Sequence, residues 1–455
     1  MDRTYELQTE RITKLLLKYI IPTVTGMLVA AIHIFIDGIF VGRGIGSVGV
    51  AAVNIVVPLF TVYTGLGLLV GIGGSTLVSN QFARQKFDEA RKIFTQSTMT
   101  LVLISIVFMT ITLLFIEPIA MILGSNEAIL PLVKEYLVVI LLLTPIFIMS
   151  TALTNFVRAD GAPKFAMICT LIGAVINGTL DYVAIFILKW GLTGAAIATG
   201  AGNIISLIMM VIFFQTKRGN LYFVKIKFDL EKLKEIMFIG VPSFLAEIGI
   251  SIVTLAHNIM MMKLAGAVGV SAYGVVNYIY PLMLMIFLGL TMSMQPVISY
   301  NHGALKIARV KEAMILVFKI ALVSGILFFL SGIFFSESMV KLFIVNEENV
   351  IQLASRGIRI FFSNYIFLGL NLAVVMYFQC TERPKISAFI TILRSVIIVL
   401  ACLFILPKFL GTDGVWLSVP IAEGLTFLYI VYEYKFKLKK EKHETEVKNY
   451  DIIAG

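Results

Sequence analysis

The stretch Ile176-Asn177-Gly178-Thr179-Leu180-Asp181-Tyr182-Val183-Ala184 sets an amide and a carboxylate inside an apolar run from about Phe165 to Leu188. At roughly 1.5 Å per residue, that run is long enough to cross a bilayer as a helix. The i,i+4 spacing of Asn177 and Asp181 puts both side chains on one helical face. A carboxylate in hydrocarbon is expensive, so it is expected to face a cavity or a partner inside a helix bundle. A second acid, Asp37, stands alone in the first apolar segment. The rest of the chain reads as the scaffold that brings these groups together.

Composition supports that reading. The 455 residues are 59% hydrophobic and 14% charged, with a mean hydropathy of +0.95. A soluble domain is about 45–50% apolar and about 25% charged, so this is a polytopic membrane protein. The net charge of +10 is first a topology signal. No basic patch interleaved with aromatics occurs, and nucleic acid is not expected as a partner. Met1–Tyr19 is mixed in charge and leads into an apolar run too long for a cleavable signal peptide, so the first helix is expected to stay. Cys169, Cys380 and Cys402 lie in or at the ends of apolar segments without C-x-x-C spacing, which implies neither disulfide nor zinc. The histidines, His33, His257, His302 and His443, are scattered along the sequence.

Apolar segments fall near 15–41, 50–80, 93–116, 130–157, 165–188, 192–215, 236–263, 270–301, 313–335, 350–380, 386–407 and 413–436. Twelve crossings place both termini on one side. Lys and Arg crowd one set of connections, such as Arg84 to Lys92, Lys217 to Lys234 and Lys306 to Lys311. The other set has little beyond Arg43, Lys189, Lys263, Lys341 and Lys408. The positive-inside rule predicts cytoplasmic termini.

The chain also repeats itself. Arg158-Ala-Asp-Gly-Ala-Pro163-Lys164 returns as Gln379-Cys-Thr-Glu-Arg-Pro384-Lys385, Asn126-Glu127 as Asn346-Glu347, and Glu117 as Glu337. Pro22 returns as Pro242, and Val48-Gly49-Val50 as Val268-Gly269-Val270. The offset is 220 or 221 throughout, which is the signature of a duplication. Six crossings per copy give both copies the same orientation, related by a two-fold axis along the membrane normal, with a cavity expected between them. The expected domains are bundles over 1–215 and 236–436, a cytoplasmic linker over 216–235 and a polar tail over 437–455. Within the linker, the run from Lys225 to Lys234 reads either as a short amphipathic helix on the membrane surface or as a solvated tether.

The two copies act as mutual controls. Asp37 aligns with His257, Asn177 with Ile398, Asp181 with Cys402 and Thr199 with Val419. Two carboxylates, an amide and a hydroxyl are thus confined to the first copy, which points to a cation site there. Hard oxygen donors suit a small cation, and a close carboxylate pair can instead share one proton. The plainer alternative is that Asp37 and Asp181 satisfy polar partners between packed helices, with Thr199 serving as packing glue. In the second copy, Glu247 is a candidate for holding a cationic substrate, while Arg394 and Glu423 read as a pair that neutralises itself. Tyr273, Tyr278 and Met283, in a Met- and Tyr-rich stretch, are candidates for a deformable pocket wall. Pro22, Gly26, Pro58, Gly65, Gly67, Gly71, Gly73 and Gly74 read as points where the first two helices bend.

Together these features resemble the multidrug and toxic compound extrusion (MATE) family. The resemblance rests on Pro22 with Asp37 and Val41-Gly42, the Arg158-Ala-Asp-Gly loop, Asn177-x3-Asp181 with Thr199, and Phe378-Gln379 opening the second loop copy. It implies an all-α polytopic membrane protein, with twelve transmembrane helices as two six-helix bundles in pseudo-two-fold symmetry along the membrane normal. It also implies efflux of cationic, amphipathic drugs in exchange for Na⁺ or H⁺. Asp37, Asn177, Asp181 and Thr199 would bind the coupling cation, and Asp37, Glu247, Tyr273, Tyr278 and Met283 would contact the drug. No other cofactor and no enzymatic chemistry is implied. A monomer in the inner membrane of a bacterium, surrounded by lipid, is expected. The alternative within the same superfamily is a lipid-linked precursor flippase. Two departures stand out: residues 360–380 lack the acid that NorM-like members place there, and Glu382 replaces the glycine expected in the second loop copy.

Overall fold

The computed structural model describes residues 5–45, 47–123, 125, 127, 129–343 and 347–433. The Asn126/Asn346 match of the repeat and the polar tail over 437–455 lie outside the described residues. Among the described residues there is no β-strand. Among the described residues, twelve helices are long and apolar enough to span a bilayer: α1 (Ile12–Gly44), α2 (Ile55–Ala83), α3 (Phe87–Leu114), α4 (Leu130–Ala159), α5 (Pro163–Ile187), α6 (Gly191–Gln215), α7 (Leu230–Gly266), α8 (Val268–Gly303), α9 (Ile307–Lys341), α10 (Glu348–Cys380), α11 (Pro384–Leu410) and α12 (Thr412–Glu433).

The duplication is visible in the backbone. Gln85 and Leu305, 220 residues apart, both adopt positive φ, at 58° and 57°. Gly191 and Gly411, also 220 apart, share a φ of 57°. Gly161 (φ 79°) and Glu382 (φ 58°) are 221 apart and occupy the same turn. A left-handed residue is rare outside glycine, so its return at one offset marks a copied turn geometry. Glu382 keeps this conformation without glycine's freedom, and its carboxylate accepts a hydrogen bond from Asn80 Nδ2 at 2.6 Å.

The chain packs as two compact units. The first comprises 1–252, 278–319 and 372–391; the second comprises 253–277, 320–371 and the chain from Ile392 onward. In the first unit, α2 packs closely on α4 and α7. A methyl group on Gly71 would meet Ala152 Cα of α4 at 2.8 Å, and one on Gly67 would meet the Ile148 carbonyl at 2.9 Å. On another face, a methyl on Gly240 of α7 would lie 2.8 Å from Leu69 Cα and overlap the Leu69 carbonyl. Small residues let membrane helices approach backbone to backbone, because lipid offers no hydrophobic incentive for association. These α2 glycines are therefore contact points, and α2 is helical without a break through them.

The linker also differs from expectation. Residues 221–229 form no helix, and α7 begins at Leu230. The segment is an extended strap held by side chains of the first unit. Asp160 accepts from the backbone N–H of Asn220 at 2.8 Å, Thr95 Oγ1 accepts from Val224 N–H at 3.1 Å, and Gln96 Nε2 donates to the Asp229 carbonyl at 2.6 Å. Over 221–229 these partners hold the backbone instead, so that part of the run is neither a helix nor a loose tether, while 230–234 open α7. Asp160 of the Arg158-Ala-Asp-Gly loop is thus an anchor for the strap.

The close approach at Gly240 makes a direct prediction. Gly240→Ala must push α7 from α2 and is expected to destabilise the protein by roughly 1–3 kcal/mol, read as a lower unfolding midpoint in detergent. Gly274→Ala, where an added methyl meets nothing within 4 Å, is expected to leave that midpoint unchanged or slightly raised.

Candidate functional site

The four polar residues singled out in the first copy converge inside the first unit. Asp37 lies on α1, Asn177 and Asp181 on α5, and Thr199 on α6. The α5–α6 crossing is set by two glycines: a methyl on Gly202 would meet Asn177 Cβ at 2.9 Å, and one on Gly173 would meet the Gly202 carbonyl at 2.9 Å. One turn further along, Ser206 Oγ donates to the Cys169 carbonyl at 2.7 Å, which fixes the register of the two helices. Helix α1 runs along α5. Its Phe40 ring packs edge-on against Phe186 at 5.7 Å between centroids. A methyl on Gly26 would lie 3.8 Å from Met167 Cα at the other end of the contact.

This packing brings the Asp37 and Asp181 carboxyl groups within hydrogen-bonding reach of each other, with Asn177 beside Asp181. Asn177 Nδ2 donates to Thr199 Oγ1 at 3.3 Å, and Thr199 donates its own proton to the Ala195 carbonyl at 3.0 Å. The Thr199 proton and one Asn177 N–H are thus used between and within α5 and α6. What remains are acceptors: Asp37 Oδ1, Asn177 Oδ1 and both oxygens of Asp181 are buried without a hydrogen-bond donor. Asn177 and Asp181 are each 1% exposed. Buried acceptors left without donors are costly, and two carboxylates at this separation repel. The arrangement is relieved by one small hard cation or by one shared proton. Among the described residues, no three His, Cys, Asp or Glu side chains are grouped as a metal site, and the donor set is one of carboxylate, amide and hydroxyl oxygens.

Two further residues belong to the cluster. His33, one turn before Asp37 on α1, reaches Asp37 Oδ2 with Nε2 at 3.2 Å. Tyr136 of α4 is buried within electrostatic range of both Asp37 and Asp181. The i,i+4 spacing of His33 and Asp37 was a usable sequence signal, whereas a tyrosine in an apolar helix carries none. Two residues after Asp181, a π-helical turn begins, Val183–Ile187. Such turns insert a residue into a helix, re-aim its side chains and recur at functional sites.

The substrate candidates are placed as follows. Glu247, Tyr278 and Met283 belong to the first unit and Tyr273 to the second. Glu247 packs toward Gly65 of α2, its Cβ 3.6 Å from where a methyl on that glycine would lie. Tyr278 is exposed and Met283 half-buried. Tyr273 is buried, its ring stacked on His257 at 5.1 Å and 10°. His257, the copy counterpart of Asp37, is fully engaged: Nε2 contacts Ser418 Oγ at 2.9 Å, and Nδ1 contacts the Val253 carbonyl at 2.8 Å. The second unit thus has no open acceptor cluster at that copied position.

Comparison with known proteins agrees with this architecture. The family model described as MatE matches residues 22–183 and again 242–404. The two matches begin 220 and end 221 residues apart, the offset read from the repeated motifs. The multidrug export protein MepA of Staphylococcus aureus (strain NCTC 8325 / PS 47) is 28% identical over 97% of this chain and 98% of its own length. A crystal structure of MATE in the bent conformation superposes with a TM-score of 0.90 at 21% identity, covering 98% of this chain and 99% of that one. An outward-facing multidrug resistance MATE family transporter of the MOP superfamily superposes at 0.89 and 21%, covering 93% and 95%. A twelve-span, all-helical chain whose two copies each match the MatE model is a member of the MatE family of membrane transporters.

Proposed function

We propose that this transporter is a multidrug efflux antiporter. It exports cationic, amphipathic compounds by alternating access in exchange for Na⁺ or H⁺ bound at Asp37, Asn177, Asp181 and Thr199. The observation that carries this reading is the set of buried oxygen acceptors without donors on α1 and α5. The likeness to proteins named multidrug export proteins supports the substrate class. Six-helix bundles over 1–215 and 236–436, cytoplasmic termini, a monomer and residence in a bacterial inner membrane complete the proposal. Asp37, Glu247, Tyr273, Tyr278 and Met283 contact the drug.

The physics of coupling follows from the site. A cation between Asp37 and Asp181 ties α1 to α5, and a conformation that separates these helices loses that tie. Ion occupancy therefore favours one state, and any drug that prefers the other state is bound more weakly. Linkage makes the effect reciprocal, with couplings of this kind typically about 5–150-fold in affinity. Exchange of an inward-moving ion for an outward-moving drug is the cycle that results.

Reconstituted liposomes test the proposal. Ethidium is expected to move against its gradient when a Na⁺ or H⁺ gradient is imposed, and Asp37→Asn and Asp181→Asn are each expected to reduce this to the level of protein-free liposomes. Unchanged gradient-driven transport in both variants would remove the site from the mechanism. Comparing Na⁺-free and Na⁺-containing buffers at one pH separates the two ions.

Gly202→Ala probes geometry with every ligand left intact. The added methyl presses on Asn177 Cβ and the Gly173 backbone, so gradient-driven ethidium export is expected to fall several-fold. The same change at Gly178, where a methyl meets nothing within 4 Å, is expected to leave export near its original rate.

A further inference from the structure

The second unit holds a buried charge cluster that the transport cycle above does not use. Arg394 of α11 and Glu423 of α12 have side chains only 8% and 4% exposed. The guanidinium engages the carboxylate at two points, Nη2 to Oε1 at 2.5 Å and Nε to Oε2 at 3.3 Å. Asn371 of α10 donates Nδ2 to Glu423 Oε2 at 2.6 Å and to the Glu423 backbone carbonyl at 2.9 Å. The Asn371 Oδ1 atom is buried without a donor. Arg394 itself stands in a π-helical turn, Leu393–Ile397, which re-aims the side chains of α11 at this level.

Each unit therefore builds a buried carboxylate–amide cluster. In the first, Asp181 and Asn177 of α5 present oxygens without donors. In the second, the corresponding helices α11 and α12 present a carboxylate that is already neutralised. The positions are shifted by about a turn: Arg394 aligns with Gly173 or Ala174, and Glu423 with Gly202 or Asn203, depending on which of the two offsets is used. The chemistry is matched in charge but not in mobility. A guanidinium carries one permanent positive charge and a fork of donors suited to a carboxylate. It supplies what an alkali cation would supply, on a covalent leash. Stability alone does not account for it, since a buried ion pair contributes little over apolar residues of similar volume.

We propose that Arg394 is a tethered cation that permanently fills a carboxylate site in the second copy, and that this fixed charge confines exchangeable cation binding to the first. The latent site is the Glu423 carboxylate with Asn371 Oδ1, and its ligand class is a small monovalent cation. The confinement clause rests on the first-unit site proposed above; the latent site does not.

The test is a count of bound ions. Full-length protein purified in detergent is incubated with radioactive Na⁺ at a fixed alkaline pH, and bound Na⁺ per chain is measured for the parent and for Arg394→Met. The variant is expected to bind one more Na⁺ than the parent, and Arg394→Met/Glu423→Gln is expected to lose that ion. In the Asp37→Asn background, Arg394→Met is expected to add one ion as well. A gain there, with no Na⁺ bound by the parent, would sustain the latent site and reject Na⁺ at the first. Arg394→Lys keeps the charge and is expected to add no ion; an added ion in that variant would overturn the proposal. Should the methionine variant not purify as a folded monodisperse species, Arg394→Gln preserves a donor for Glu423 and is expected to gain the same ion. No gain in a folded Met or Gln variant, in either background, overturns the latent site.

Discussion

A carboxylate cannot lie in hydrocarbon without something to share its charge, and this constraint orders much of the molecule. The first unit meets it with an acceptor cluster: Asp37 and Asp181 face each other, and the Thr199 proton and one Asn177 N–H go to other acceptors. The second unit meets it with a covalently held partner, Arg394 against Glu423, so the charge balances without any visitor. The first leaves buried acceptors without donors, whereas the second is neutralised by a side chain of its own chain.

Holding carboxylates at that separation requires helices that pack very closely. The contacts at Gly173 and Gly202, and those at Gly71 and Gly240, put backbone against backbone. In lipid such contacts replace the hydrophobic drive that holds soluble cores together. The positions of polar side chains are then set by the closest point of two helices, which explains how an amide on α5 and a hydroxyl on α6, 22 residues apart in sequence, come into hydrogen-bonding distance. The strap over 221–229 works on the same principle at the membrane edge, where Asp160, Thr95 and Gln96 hold extended backbone in place.

Duplication gives the molecule its scaffold, and divergence gives it chemistry. The copied turns at Gln85 and Leu305 keep their left-handed residues, because backbone geometry is shared by both copies. Side chains carry no such obligation. Asp37 corresponds to a histidine engaged by Ser418 and Val253, and Gly161 corresponds to Glu382, which holds the same strained φ while bonding to Asn80. A family relationship that spans both copies thus coexists with unequal interiors.

The sequence alone determined the twelve helices and the duplication with its 220–221 offset, and it marked the intramembrane polar residues as candidates, because a bilayer demands long apolar runs and makes every intramembrane charge conspicuous. Asn177 and Asp181 were legible from spacing, and Arg394 with Glu423 from charge balance. Tertiary structure decided what no local pattern could carry. Tyr136 joins the cluster only because α4 packs beside α5 and α6, and a lone tyrosine in an apolar helix has no signature. The glycines of α2 look like hinges in one dimension and prove to be contact points, since close approach is a property of two helices together. The linker looked amphipathic, yet its backbone hydrogen bonds go to side chains more than a hundred residues earlier in the chain for Thr95 and Gln96. Only the folded chain fixes such partnerships, because the free energy of burying an acceptor depends on which donors the packing leaves within reach.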